Sequence, residues 1–360
     1  MSALKEMFND TYFKKLVKIV SEVYPKLDKK KFYIELTDGL EPKSLNERMR
    51  HTSQMLRKYL PENFKTSVKI LDDVIPKMDR GYTSLVFPDF IGLYGLDDHE
   101  FSLRALKHYT SFGSSEFAIR MFLRNDLDQT ISTMYEWAKD SNPQVRRLAS
   151  EGSRPRLPWS FKLDEIIKNP KLTTPILNTL KADPELYVRK SVANHLNDIS
   201  KENPDYMLSL IQGWDHDHAF TSWIIKHGSR TLIKKGHTKA LTIFKVGANP
   251  KIKVREFKIS PATVLLGESI ELTITIQSAA KVNQKILIDY ILHYVKKSGG
   301  TSSKVFKLKE FTMDGNESIT IKKRQRIIDF TTRKHYPGKH KVDLQVNGKV
   351  IAGTEFKLKL

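Results

Sequence analysis

The chain has 360 residues, 39% of them hydrophobic, and no cysteine, which is enough for two or three domains and excludes disulfides, thiolate metal sites and a cysteine nucleophile. No apolar run is long enough to span a membrane, and the N-terminal MSALKEMFND lacks the layout of a signal peptide, so a cytoplasmic protein is expected. A net charge of +20 implies an electrostatic partner, of which nucleic acid is the commonest.

Residues 1–95 read as helices, with apolar positions at helical spacing such as Phe13, Leu16, Val17 and Val20, and with loops expected around Pro42, Pro61 and Pro88. A weak repeat follows. Asp98 precedes Leu103-Arg104-Ala105-Leu106, Asn142-Pro143 precedes Val145-Arg146-Arg147-Leu148-Ala149, and Asp183-Pro184 precedes Val188-Arg189-Lys190-Ser191-Val192-Ala193. The period of about 42 residues suits stacked HEAT-like helix pairs: Asp or Asn caps each helix, Pro opens it, and the apolar residues pack on the next pair. A shorter fourth copy starts at Asp217. An arginine recurs at one place in the first three copies and is lacking in the fourth. Either the arginines line a concave basic face, or they pair with carboxylates between repeats.

Lys226, Arg230 and Lys234 fall at spacings of four and form a basic stripe if one helix carries them. Asp215-His216-Asp217-His218 is a poor metal motif, because consecutive residues diverge and no second cluster is evident. No phosphate-binding glycine loop or nucleophile elbow is present.

Near Gly247-Ala248-Asn249-Pro250 the pattern changes to period two, placing the boundary between a helical domain, 1–248, and a strand domain, 249–360. Ser269–Ile276, Val305–Lys309 and Glu355–Leu360 alternate, 285–295 reads as a central strand, and Ser298-Gly299-Gly300, Asp314-Gly315-Asn316 and Asn347-Gly348 mark turns. About seven strands predict an immunoglobulin-like β-sandwich without the Cys…Trp…Cys hallmark. The expected fold class is therefore multidomain, a helical repeat solenoid followed by a sandwich. The strand domain is the denser in charge, with 22 Lys+Arg against 10 Asp+Glu in 251–360, including Lys322-Lys323-Arg324 and Arg333-Lys334.

The stretch from Val145 to Trp159 carries the most chemistry. Glu151 sits in the last turn of a helix that Gly152 stops, where the helix dipole disfavours an anion. The plain account is an ion pair with Arg147, one turn back. Arg154 and Arg156 flank a proline on a stiffened loop and suit phosphate contact. Trp159, beyond another proline, could stack on a base or sugar or plug the core. Glu116 reads as an ordinary first-turn residue of a helix.

Val145–Trp159, the Tyr135–Asp140 stretch before it and Trp223–Gly236 resemble the AlkC and AlkD DNA alkylation repair proteins. Leu45-Asn46-Glu47-Arg48-Met49-Arg50-His51 through Tyr59-Leu60-Pro61, together with the appended sandwich, resembles AlkC in particular. The resemblance covers essentially the whole chain. It implies a monomeric, cofactor-free and metal-free glycosylase of duplex DNA that releases cationic bases (3-methyladenine, 3-methylcytosine, 1-methyladenine) without flipping them. It matches the family's catalytic residues to Glu116, Glu151 and Trp159. Arg146, Arg147, Arg154, Arg156, Arg189, Lys190, Lys226, Arg230 and Lys234 are then the expected DNA-binding cations, Arg147 orienting Glu151 or holding a phosphate, with the sandwich gripping the duplex as well. The competing expectation is a non-catalytic scaffold for DNA structures or acidic proteins.

Overall fold

The computed structural model describes residues 4–247, 249–330 and 333–360. The described residues form two compact units. One runs to Met207 and includes Gly213–Gly228; the other comprises Leu208–Gln212 and Ser229–Leu360.

The first unit is helical. Its elements are α1 (Asp10–Val23), α2 (Lys29–Thr37), α3 (Leu45–Tyr59), α4 (Phe64–Val74), α5 (Val86–Tyr94), α6 (His99–Tyr109), α7 (Ile119–Asn125), α8 (Leu127–Trp137), α9 (Pro143–Gly152), α10 (Asp164–Lys168), α11 (Thr174–Leu180), α12 (Leu186–Ile199) and α14 (Ala219–Gly228), with the start of α13 (Pro204–Gln212), whose residues from Leu208 on belong to the second unit. Side-chain caps set many of the starts. Asn9, Asn63, Asp126 and Asn142 each accept a bond from the first turn, and Ser44 with Glu47 forms a capping box on α3. Pro42 and Pro61 lie outside helices, as expected. Pro88 instead sits in the first turn of α5, where proline leaves no necessary donor missing. Val86–Gly92 of α5 is wholly buried, so α5 forms the floor between α3 and α6.

The repeat is visible in its polar seams as well as in its core. Lys65 pairs with Asp98, Lys107 with Asp140 and Arg146 with Asp183, each at 2.6 Å. Each cation thus reaches an acid at or just before the start of a later helix. Arg146 also donates to the carbonyls of Asp140 and Ser141, and Arg189 repeats this on Asp183 and Pro184. In these two copies the arginine closes the loop in front of its own helix, whereas Arg104 pairs with Glu100 on its own helix.

The second unit adds α15 (Arg230–Lys234) and α16 (Thr238–Ile243) to eight strands: β1 (Ile252–Ser260), β2 (Thr263–Leu265), β3 (Ser269–Ser278), β4 (Gln284–Val295), β5 (Thr301–Met313), β6 (Ser318–Arg326), β7 (Gly338–Val346) and β8 (Lys349–Lys359). They form a three-stranded sheet, β1-β3-β6, and a five-stranded sheet, β2-β8-β7-β4-β5. The short β2, which period-two reading does not reveal, runs parallel to β8. Ile270, Leu272, Ile274 and Ile276 of β3 share a core with Ile288, Tyr290 and Leu292 of β4 and Phe356 and Leu358 of β8. Asn347 and Gly348 both take positive φ, 46° and 79°, as a two-residue hairpin requires.

Residues 229–247 are helical in pattern but pack with the strands. The Gln345 amide donates to the Lys234 carbonyl at 2.8 Å, Lys285 to that of Phe244 at 3.2 Å, and Asn347 to that of Gly247 at 2.8 Å. This helical cover explains why Ile286–Tyr290 is buried without alternation.

Candidate active site

Glu116 lies in the turn that leads into α7 rather than inside the helix. The turn is already helical in its bonding, because the Ile119 amide donates to the Ser115 carbonyl at 3.0 Å. Ser114 clasps Glu116, its hydroxyl donating to Oε2 at 2.9 Å and accepting from the backbone amide at 3.2 Å. Glu151 lies in the last turn of α9 and is 6% exposed.

Arg147 joins the two carboxylates. One guanidinium nitrogen donates to Glu116 Oε2 and to Ser114 Oγ, and the other stands 3.5 Å from Glu151 Oε1. The pair one turn apart therefore forms, with a second carboxylate added from 31 residues away. Arg154 donates to the same Glu151 oxygen at 2.6 Å and to Asp198 at 2.9 Å, and Lys201 closes the chain on Asp198 at 2.9 Å. Burial opposes the charge on Arg147, but Glu116 and Glu151 outweigh it and hold its pKa above the usual value. Arg154 behaves likewise between Glu151 and Asp198. The alternating charges answer the unfavourable dipole at Glu151. Among the described residues, Glu116 Oε1 and Glu151 Oε2 receive no hydrogen bond from the protein.

Both carboxylates line a pocket of about 400 Å³ with Tyr82, Phe117, Trp159 and Tyr187. The Tyr187 ring lies 4.8 Å from the Arg147 guanidinium carbon. Trp159 meets Tyr82 edge to face at 6.3 Å, and the Tyr82 hydroxyl donates to Asn46. Burial, with Glu116 and Asp89 nearby, raises the Tyr82 hydroxyl to about 12, so it stays protonated. Trp159 is 68% exposed and has φ 64°. The Ser160 amide donates to the Leu157 carbonyl at 3.3 Å, with Pro158 between them. This is the pattern of a type II turn, whose third position usually takes glycine. Holding tryptophan there costs on the order of 1–3 kcal/mol and leaves the indole free rather than plugged into the core.

The other expected cations are placed differently. Arg146 is committed to Asp183 and the loop carbonyls, and Arg154 is buried between two acids. Arg156 makes a two-point contact with Glu202 at about a third of full exposure. Arg189 stacks 4.2 Å from Phe220. Lys190 and Lys226 are exposed and Arg230 half-buried. Lys234 reaches the Val305 carbonyl at 3.5 Å. The stripe is interrupted, because α14 ends at Gly228 and α15 begins at Arg230. Gly228 has no room for a side chain, since a Cβ would stand 2.9 Å from Leu196 Cβ. Asp215 caps its own turn by accepting from the amides of Asp217 and His218, and no group of three or more metal-ligating side chains occurs among the described residues. No helix there is long and apolar enough to cross a membrane.

Sequence reasoning missed Asp198, Tyr82, Tyr187 and Ser114. Tyr187 stands beside Val188 in the third repeat copy and could have been found there; the others had no local signal.

Fold and site together define a helical-repeat protein with an appended sandwich and a carboxylate–arginine pocket. Residues 103–232 match the family described as DNA alkylation repair enzyme, and 253–360 match the C-terminal Ig-like domain of the uncharacterised protein YhaZ. The chain is 39% identical to the uncharacterised protein YhaZ of Bacillus subtilis strain 168, over 99% of this chain and all of that one. It is 45% identical to the alkylpurine DNA glycosylase AlkC of Pseudomonas fluorescens, solved bound to DNA containing an abasic site analog; the match has a TM-score of 0.96 and covers 99% of this chain and all of the other. The chain belongs to the AlkC-type family of DNA alkylation repair glycosylases.

Proposed function

We propose that this protein is a DNA glycosylase that hydrolyses the N-glycosidic bond of bases made cationic by alkylation, with 3-methyladenine, 3-methylcytosine and 1-methyladenine as substrates in duplex DNA. The observation that carries the reading is the buried Glu151 and the half-buried Glu116, which share Arg147 beside an exposed, strained tryptophan. A scaffold that only holds phosphates gains nothing from anions in its pocket.

A cationic base departs without protonation, so no strong general acid is required. Positive charge grows on the sugar as the bond breaks. A carboxylate fixed before the reaction stabilises that charge and can orient the attacking water. Glu116 and Glu151 each keep one oxygen unclaimed by the protein for these two tasks. Trp159 packs against the lesion nucleotide, and the base leaves without being flipped out of the duplex. Arg147 serves the carboxylates rather than a phosphate. Lys190 and Lys226, exposed in the first unit, supply phosphate contacts, as do the basic residues of β6 in the second. The protein acts as a cytoplasmic monomer without a small-molecule cofactor.

The test is chromatography of bases released from methylated duplex. Glu116→Gln and Glu151→Gln should each lower release at least a hundredfold while duplex binding persists. No release by the parent protein would return it to the scaffold reading, and unchanged release by the variants would remove the two carboxylates from the chemistry.

A further inference from the structure

Arg120 is a fully buried cation in the apolar run Phe117-Ala118-Ile119-Arg120-Met121-Phe122. Among the described residues it has no ion-pair partner. It donates instead to three backbone carbonyls: Gly152 at 2.9 Å, Arg154 at 2.6 Å, and Phe161. Burial lowers its pKa to about 10, with Arg154 adding to the effect and the Asp198 and Glu151 carboxylates partly opposing it, and it remains charged at neutral pH. A guanidinium taken from water is costly to keep without a carboxylate.

The three carbonyls are not a random set. Gly152 directly follows Glu151 at the end of α9. Arg154 and Phe161 bracket the loop that presents Trp159. Arg120 itself belongs to α7, four residues beyond Glu116. The approach of α7 to the end of α9 also needs glycine at 152, because a Cβ there would lie 2.4 Å from Ile119 Cγ2. We infer that Arg120 is a positioning residue that registers Glu116, Glu151 and the Trp159 loop against one another through three carbonyl bonds. Its planar fork reaches carbonyls of two different elements at once, which a single ammonium cannot do with the same geometry.

The inference rests on the proposed glycosylase for its kinetic arm, but its structural arm is independent of activity. The protein is labelled with 5-fluorotryptophan, giving fluorine signals for Trp137, Trp159, Trp214 and Trp223, and Trp159→Phe assigns the one of interest. In Arg120→Lys the other three signals are expected to stay in place while that of Trp159 shifts or broadens. Single-turnover release of 3-methyladenine falls at least tenfold, and the dissociation constant for duplex containing an abasic analogue stays within about threefold. A Trp159 signal and a release rate both within error of the parent protein overturn the proposal. Should Arg120→Lys lose all four native signals, Gly152→Ala, which displaces α7 from α9, is read in the same way, and a native Trp159 signal there overturns it. If the parent protein releases no base, the glycosylase reading fails while the fluorine spectra still decide the role of Arg120.

Discussion

Replacing Arg147 by methionine tests the electrostatics of the pocket. The substitution leaves Glu151 with Arg154 but strips Glu116 of its cation, with only Ser114 remaining as a donor. Breaking a buried pair by removing one partner costs about 3–5 kcal/mol. The Arg147 and Glu116 side chains keep 13% and 16% exposure, which places the cost near the lower end, about 3 kcal/mol. Glu116→Gln alone exchanges a charge-assisted bond for a neutral one while Arg147 retains Glu151, at a cost of about 1 kcal/mol. The double variant no longer strands an anion, so the cycle should give a coupling of about 2 kcal/mol. Urea unfolding of the four proteins, followed by far-ultraviolet circular dichroism, reports the helical unit. The salt dependence of duplex binding is a second readout, since loss of a phosphate contact lowers the slope by about one and loss of a carboxylate partner does not. Coupling below about 0.5 kcal/mol, or a slope lowered by one, refutes the assignment of Arg147 to the carboxylates.

Arg146→Ala strands Asp183, whose side chain is 3% exposed, and should cost about 3 kcal/mol in the same unfolding assay, whereas Lys190→Ala should leave stability within about 0.5 kcal/mol and weaken duplex binding with a shallower salt slope. The two units should also respond to pH in opposite senses. Burial raises the Asp289 carboxyl to about 6, against partial relief from Lys234 and Lys307, so its penalty is complete above that pH and disappears as pH falls toward 3.8; Asp289→Asn should raise the second unit's resistance to hydrogen exchange at neutral pH and not at pH about 4. Burial lowers His195 to about 4 despite its bond to the Ser150 carbonyl, so the first unit loses stability as pH falls from 6.5 toward 4, and exchange of α12 amides should accelerate over that window. Gly348→Ala combines a positive φ with a Cβ 2.0 Å from Gly236 Cα and should destabilise the second unit by several kcal/mol, roughly 3, read as an early loss of strand signal on heating.

The helical repeat and the sandwich were legible because both announce themselves locally. Caps and prolines recur before Val145 and Val188, and period-two runs are separated by Gly and Asn turns. Glu151 was legible for the same reason, as an anion at the wrong end of a helix. What could not be read was pairing across repeats. Arg146, Arg154 and Arg156 find Asp183, Asp198 and Glu202 at separations of 37 to 46 residues, and nothing in a local window tells an arginine facing a carboxylate from one facing a phosphate. Residues 229–247 carry a helical period, yet their partners are the strands, which only the packing reveals. Arg120 left one trace, a lone cation inside an apolar run, and that mark is worth reading as a buried clamp.

The most direct measurement of the central claim is the quantity of free 3-methyladenine released from methylated duplex in a single turnover by the parent protein, Glu116→Gln and Glu151→Gln, alongside their affinities for the same duplex. The account predicts release by the parent, at least a hundredfold less from either variant, and affinities that differ little. Equal release from all three, or variants that fail only because they no longer bind, would contradict it.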